Sequence, residues 1–304
     1  MPELAEVEFY RKRWQSSAAR ASVVDVLLHA NKRLFRGIDP KKLRRALRGA
    51  TFVGSEARAK QMLFRFRGET SAAGEIYLGI HLGMSGELRV EPAGYAPGRH
   101  DHLVIVTTAT RSRIRPPLRQ TAGRTGVPAA VPAHALVFND PRMFGRILFH
   151  LGAKPPAWWT GIAPAILSDE FTVDVVGQFL QRRKRAPIKA VLLMQERFPG
   201  VGNWMADEIL WRAAIHPARL AGSLAEAEIR RLHHECRHVC RIALATIAGR
   251  GPKPPPDLNV DIPDSWLFNH RWRKGGKDPI TGTPLAHATI GGRTTCWSPA
   301  RQKR

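Results

Sequence analysis

The chain has 304 residues, 43% of them hydrophobic, enough for about two globular domains with cores of their own. Forty-eight Lys and Arg stand against 25 Asp and Glu, a net charge of +23, which points to a polyanionic partner, nucleic acid ahead of an anionic membrane. No apolar run approaches the roughly 20 residues of a membrane span. The first residues lack the basic lead and apolar core of a signal peptide, and three cysteines (Cys236, Cys240, Cys296) cannot build a disulfide framework. A cytoplasmic, nucleoid-associated or nuclear protein is therefore expected, not a secreted one.

Leu4, Val7, Tyr10 and Trp14 fall at helical spacing, with Glu3, Glu6 and Glu8 leading and Arg11, Lys12 and Arg13 trailing, which predicts a helix over about 3–18. Eight short strands are then expected: Ser22–Leu28, Thr51–Ala57, Met62–Arg67, Ile76–Leu82, Glu87–Val90, Leu103–Thr107, Leu136–Asn139 and Arg146–His150. Their even spacing indicates a sandwich or barrel. Residues 109–133, rich in Arg, Pro, Gly and Thr, read as a mobile basic insertion. Beyond a proline-rich linker the pattern turns helical at about 169–183, 187–197, 203–214 and 223–248, with Asp169 and Ser223 as N-caps. The last fifty residues hold Gly, Thr and tryptophans and end as a hairpin. The expected division is 1–152, a linker at 153–165, 166–250 and 251–304.

The start, Met1-Pro2-Glu3-Leu4-Ala5-Glu6, carries the chemistry most directly. Removal of Met1 would leave the secondary amine of Pro2 as the terminus. An α-amino group titrates near neutrality, so part of it is an unprotonated nucleophile. Its attack on an aldehyde carbon gives a permanently cationic iminium, an electron sink, and Glu3 beside it can move protons.

Gly200-Val201-Gly202-Asn203 between two helical segments reads either as an ordinary helical hairpin turn or as a helix–two-turn–helix with Asn203 as N-cap, a turn whose N–H groups suit a phosphate. Lys60 opens a strand, and Met84 sits on a glycine turn after His81. Arg142 and Phe144 share the turn Asp140–Gly145, the kind of pair that wedges into a base stack. Arg293 follows the hairpin signal Gly291-Gly292 and suits a phosphate. The group His233, His234, Cys236, His238 and Cys240 lies on one predicted helix without Cys-x-x-Cys pairs, so it is not read as a metal site.

These motifs in this order resemble the formamidopyrimidine-DNA glycosylase and endonuclease VIII family. The resemblance runs through Pro2-Glu3-Leu4 with Glu6-Val7-Glu8, Arg58-Ala59-Lys60, His81–Gly86, Asp140-Pro141-Arg142 with Phe144-Gly145, Pro187-Ile188-Lys189, Gly202-Asn203 and Gly291-Gly292-Arg293. It implies an α+β fold: an N-terminal β-sandwich flanked by helices, and a C-terminal helical domain with the helix–two-turn–helix and a β-hairpin finger. It implies a bifunctional glycosylase and abasic-site lyase, working as a monomer without cofactor on double-stranded DNA that contains damaged bases or abasic sites. Carried over, Pro2 is the Schiff-base nucleophile, Glu3 the general acid, Glu6 an ordering group, and Lys60 an aid to phosphate contact and strand cleavage. Met84, Arg142 and Phe144 fill the gap left by the everted nucleotide. Lys189, Asn203 and Arg293 hold phosphates. Where the family's finger carries four zinc-binding cysteines, this chain has Asp278, Thr281, Ser298 and Arg301, so a zincless finger similar to the plant and fungal branch is expected, held by packing of Trp272 and Trp297. The same similarity, with proline-rich 251–265 in place of the usual capping loop, implies ring-opened purines, hydantoins and abasic sites ahead of 8-oxoguanine. The alternatives are a catalytically inactive or lyase-only damaged-DNA-binding protein of the same fold, and a generic basic RNA-binding protein.

Overall fold

The computed structural model describes residues 2–30, 32–68, 74–109, 132–273 and 275–304. Most of the expected basic insertion at 109–133 lies outside them. The chain forms two compact units. One comprises Tyr10–Glu56 and Gln61–Trp159; the other gathers Met1–Phe9, Ala57–Lys60 and Thr160–Arg304. The expected division differs in two short pieces, and the regions 166–250 and 251–304, expected apart, fall in one unit. Residues 1–9 and 57–60 group with the C-terminal segment, for reasons that lie in the contacts of Glu3.

The first of these units is built on two four-stranded sheets. Strands β1 (Val23–Leu28), β2 (Thr51–Arg58), β3 (Gln61–Arg67), β4 (Glu75–His81), β5 (Glu87–Pro92), β6 (Asp101–Thr108), β7 (Pro132–Asn139) and β8 (Arg146–Gly152) pair in the orders β1-β6-β7-β5 and β2-β3-β4-β8. All eight match expected strands to within a few residues. Central strands β4 and β6 are buried along nearly their whole length, which is why they read as continuous apolar runs (Ile76–Ile80, Leu103–Val106), while edge strand β5 alternates more openly. Helix α1 (Leu4–Ala18) sends Trp14 into this core, where its ring lies 4.9 Å from Phe64 and its indole N–H donates to the Arg89 carbonyl. Helix α2 (Pro40–Leu47) was not expected. Only Leu43 and Leu47 mark its buried face in a run of basic residues. The local signal for it is the cap: Asp39 accepts from the N–H groups of Lys41 and Lys42, with Pro40 at the first helical position.

The second unit is helical. After the short α3 (Ala157–Thr160) come α4 (Val173–Arg182), α5 (Ile188–Leu192), α6 (Asn203–Arg212) and α7 (Glu226–Ile247). The caps differ from those expected. Thr172, not Asp169, accepts from Val175 N–H at the start of α4. Helix α7 begins at Glu226, where Glu228 accepts from Ala225 N–H, so Ser223 is not its cap. Helix α5 ends well short of residue 197 because Gln195 takes over the backbone beyond it. Its side chain donates to the carbonyls of Leu193 and Val201 and accepts from Gly200 N–H. The buried stripe of α7 runs Ile229, Leu232, Cys236, Val239, Cys240, Ala243, Ile247, with the two thiols pushed up by burial into inert core groups.

A hairpin of β9 (Ala286–Ile290) and β10 (Arg293–Trp297) closes the chain, turning at Gly291 and Gly292. Both glycines have positive φ (60° and 74°), as a two-residue turn matched to strand twist requires. The expectation that Trp272 and Trp297 hold this finger is corrected for Trp272. Trp272 is exposed, and Trp297 is half-buried against His216. The anchoring cluster is Trp211, Leu267, Leu285 and Cys296, tied down by the Trp211 indole N–H donating to Asp278 and by Gln302 bonding to the Ile215 carbonyl and to Ser298 N–H.

Candidate active site

Within the helical unit, the site is organised by the first turn of α6. Gly202 caps that helix, not Asn203, and its own N–H and those of Trp204 and Met205 all donate to the Glu3 carboxylate at 2.8, 2.9 and 3.1 Å. A carboxylate from the far end of the sequence thus occupies the anion position of a helix N-terminus. The fit is close enough to dictate the glycine: a Cβ on Gly202 would stand 2.3 Å from the Glu3 carboxyl carbon. Gly200, at φ 90°, accepts at its carbonyl from Leu4 N–H. Pro2, half-buried, is therefore covalently joined to a residue held from both sides.

Glu6 lies one turn along α1. It accepts from Glu3 N–H at 3.2 Å and from the Trp204 indole N–H at 2.8 Å. Burial raises both carboxyls. For Glu3 the charge of Lys60 and the N–H groups of α6 pull the other way. For Glu6 the charge of Glu3 adds to burial and the pKa reaches about 7. Lys60 comes from the turn between β2 and β3, where Ala59 takes a positive φ of 54°. It is buried, within electrostatic reach of Glu3, Glu6 and Arg293, and burial lowers its pKa against the opposing pull of Glu3. The structure therefore gathers Pro2, Glu3, Glu6, Lys60 and Arg293 in one neighbourhood. Asn203 belongs to it through the hairpin, since its side-chain amide donates to the Thr294 carbonyl beside Arg293.

Lys189 departs from expectation. Its side chain is 0% exposed, and its ammonium donates to Asp207 at 2.5 Å and to the Asn203 carbonyl at 2.6 Å. An enclosed, paired ammonium cannot meet a phosphate without breaking that pair, so its expected phosphate-holding role is corrected to that of an internal tie. Asp207 also accepts from Arg271 (2.5 and 3.1 Å) and from Cys296 N–H (3.2 Å). One carboxylate thereby joins α5, α6, the Arg271 segment and β10. Sequence reading missed Asp207 and Arg271. The available signal was a charged pair, Asp207-Glu208, inside an otherwise apolar helix.

The residues expected to fill a void come together on the β-sheet unit. Asp140 accepts from Ser85 Oγ and Gly145 N–H, clamping the Met84 turn to the Arg142–Phe144 turn. Gly83 packs so tightly that a Cβ there would meet the Phe144 carbonyl carbon at 2.4 Å. Phe144 is 49% exposed, and guanidinium groups lie over it from Arg142 (5.1 Å) and from Arg33 (5.0 Å). Arg33 was not anticipated. Its Nε donates to the Met143 carbonyl at 2.6 Å, bracing a turn in which Met143 has a φ of 55°.

Asp278, Thr281, Ser298 and Arg301, which stand where the resemblance implies zinc-binding cysteines, carry no thiol. Asp278 is committed to Trp211 and to the N–H groups of Ile280 and Thr281, and Arg301 presents a guanidinium 5.0 Å from the Trp211 ring. Among the described residues no group of three or more His, Cys, Asp or Glu is placed to hold a metal ion, and no helix is long and apolar enough to cross a membrane.

Comparison with known proteins bears on the same residues. The formamidopyrimidine-DNA glycosylase N-terminal domain matches residues 1–147, and the formamidopyrimidine-DNA glycosylase H2TH domain matches residues 162–251. The formamidopyrimidine-DNA glycosylase of Xanthomonas axonopodis pv. citri is 33% identical over the full length of both chains. That of Arabidopsis thaliana is 26% identical, covering all of this chain and 71% of its own. Among solved structures, the Lactococcus lactis enzyme in complex with DNA containing an oxidised pyrimidine covers both chains fully, with a TM-score of 0.78 at 22% identity. The chain belongs to the formamidopyrimidine-DNA glycosylase family, DNA glycosylases of base excision repair.

Proposed function

We propose that this chain is a bifunctional glycosylase and abasic-site lyase, acting on double-stranded DNA through a Schiff base at Pro2. The supporting observation is the anchoring of Glu3 by three N–H groups of α6, with Glu6, Lys60 and Arg293 around it and Pro2 next in sequence. The target nucleotide must leave the stack before its sugar can be reached. With Met1 removed, the lone pair of Pro2 attacks C1′, and the damaged base departs with the electron pair of its glycosidic bond and takes up the proton that the Pro2 nitrogen then sheds. Glu3, whose carboxyl burial biases toward the protonated form, delivers a proton to the ring oxygen of the sugar, which opens to the iminium. The iminium acidifies C2′. Loss of that proton expels the 3′ phosphate, a second elimination expels the 5′ phosphate, and water releases the enzyme. Lys60 and Arg293 offer positive charge to the phosphates, with Asn203 fixing the hairpin that carries Arg293. Met84, Arg142 and Phe144, steadied by Arg33, fill the vacated stack. Ring-opened purines, hydantoins and abasic sites are the favoured substrates, ahead of 8-oxoguanine.

Borohydride reduction in the presence of abasic-site DNA tests the mechanism. The Met1-processed protein is expected to form a stable crosslink. Crosslinking by an N-terminally extended protein as efficient as by the processed one would overturn it. The finger is proposed to be zincless, so a chelator should leave the unfolding curve unchanged, whereas stoichiometric zinc in the purified protein would contradict that.

A further inference from the structure

Helix α2 turns a cationic face to solvent along its whole length. Of the nine residues from Pro40 to Arg48, five are exposed Lys or Arg: Lys41, Lys42, Arg44, Arg45 and Arg48. Leu43 and Leu47 are buried, and the helix packs on edge strand β1. Lys41 and Arg45 stand four positions apart, as do Arg44 and Arg48, so like charges face one another and oppose the helix. The Asp39 cap and the leucine pair hold it together in spite of that repulsion.

Little nearby offsets this charge. Asp25 of β1 reaches Arg44 at 3.4 Å and Arg48 at 3.5 Å, in solvent-exposed pairs of small worth. Lys41, Lys42 and Arg45 have no ion-pair partner among the described residues. A row of fixed, mutually repelling cations is relieved by a polyanion. With both leucines buried, the helix has no apolar face left for a bilayer. Its place in the chain points to duplex DNA. Arg33, on the segment that leads into α2, donates to the Met143 carbonyl and lies over Phe144. From there the chain passes exposed Arg36 and enters the Asp39 cap. The turn expected to enter the base stack and the cationic helix are thus joined by one short path within the same compact unit. A helix of eight residues is about 12 Å long, which spans about three to four base-pair rises along one strand.

We propose that α2 is a second DNA-binding surface, which takes the phosphodiester backbone of the duplex flanking the damaged site and extends the footprint beyond the nucleotides next to it. Lys41, Lys42 and Arg45 carry the contact, because Asp25 engages the other two cations. Contacts to phosphate add affinity and register without reading sequence. This rests on the reading that the Arg142–Phe144 turn enters damaged DNA, and it adds to that reading how far along the duplex the protein reaches.

The test compares two duplexes, each carrying a baseless tetrahydrofuran at one position. One ends half a helical turn to either side of it, and the other continues for two turns. Lys41→Gln, Lys42→Gln and Arg45→Gln are combined in one variant. It is expected to bind the long duplex about tenfold more weakly at moderate salt, with the salt slope reduced by about two to three units, and to bind the short duplex as the parent does. Its thermal unfolding should be unchanged or raised, since the substitutions relieve repulsion. Arg45→Glu alone, a single exposed change, should reproduce part of the loss on the long duplex. Charge acting only through the overall field would weaken both duplexes equally. That result, or unchanged binding to the long duplex, would overturn the proposal. Absence of a borohydride crosslink in the parent protein would instead refute the Pro2 mechanism, leaving the comparison of duplex lengths readable by itself.

Discussion

Glu3 and Glu6 show how one environment gives two carboxyls different properties. Both are buried, and Glu3 faces three N–H groups and the Lys60 ammonium, whereas Glu6 faces Glu3. Burial and that neighbouring charge lift Glu6 from 4.5 to about 7. A carboxyl raised in the folded state binds more protons folded than unfolded between those two values. Its contribution to stability is therefore full below the unfolded value and is lost as pH rises toward about 7. Glu6→Gln, which cannot ionise, should flatten that fall. In urea unfolding at pH 5 and pH 8, the parent is expected to lose more stability over the interval than the variant, by on the order of 2–3 kcal/mol. Equal losses would show that Glu6 ionises normally. A separate buried carboxyl, Glu208, which burial raises to about 7, is common to both proteins and cancels in the comparison. Legibility at this scale was uneven. Pro2, Glu3, Glu6, Lys60 and Arg293 were readable because each sits in a short motif. What Glu3 does to α6 was not readable, because its partners Gly202, Trp204 and Met205 lie about two hundred positions away.

At the scale of elements, the buried Lys189–Asp207–Arg271 group decides how α5, α6 and the finger hold together. Asp207 compensates two cations, and both its side chain and that of Lys189 are wholly enclosed. Removing the carboxylate leaves an ammonium buried without a counter-charge, which typically costs about 3–5 kcal/mol. Removing Lys189 leaves Asp207 still paired with Arg271. Asp207→Ala should accordingly destabilise more than Lys189→Met, measured by denaturant unfolding, and a reversed order would mean that Arg271 is not the second partner. The strands were legible because their apolar runs are short and bounded by turns, and α7 because its stripe repeats for 22 residues. Helix α2 escaped because its eight residues offer one buried pair, and α5 was overdrawn because Gln195 ends it by bonds that no periodicity records. The finger's anchorage was misread for a related reason. Tryptophans attract attention as core, yet the hairpin is secured by polar bonds to Asp278 and Gln302 around one buried indole, Trp211.

For the molecule as a whole, binding to DNA responds to salt through the cations that touch phosphate, a subset of those behind the net charge of +23. Each phosphate neutralised by the protein releases condensed counterions, so the logarithm of affinity falls with the logarithm of salt by about 0.9 per contact. The slope therefore counts the cations that reach phosphate, not those the sequence contains. Two basic residues of the expected phosphate set differ here. Arg293 is exposed at the tip of a hairpin, while Lys189 is spent on Asp207 and the Asn203 carbonyl. Arg293→Ala should reduce the slope by about one unit. Lys189→Met, measured on folded protein, should shift affinity without changing the slope, because a buried ammonium neutralises no phosphate and so displaces no counterion condensed on the DNA. Titrations from low to moderate salt on one duplex separate the two outcomes. A unit lost from the slope in Lys189→Met would mean that the pair with Asp207 opens on DNA, and the internal tie would then have to be redrawn as a cation released by binding.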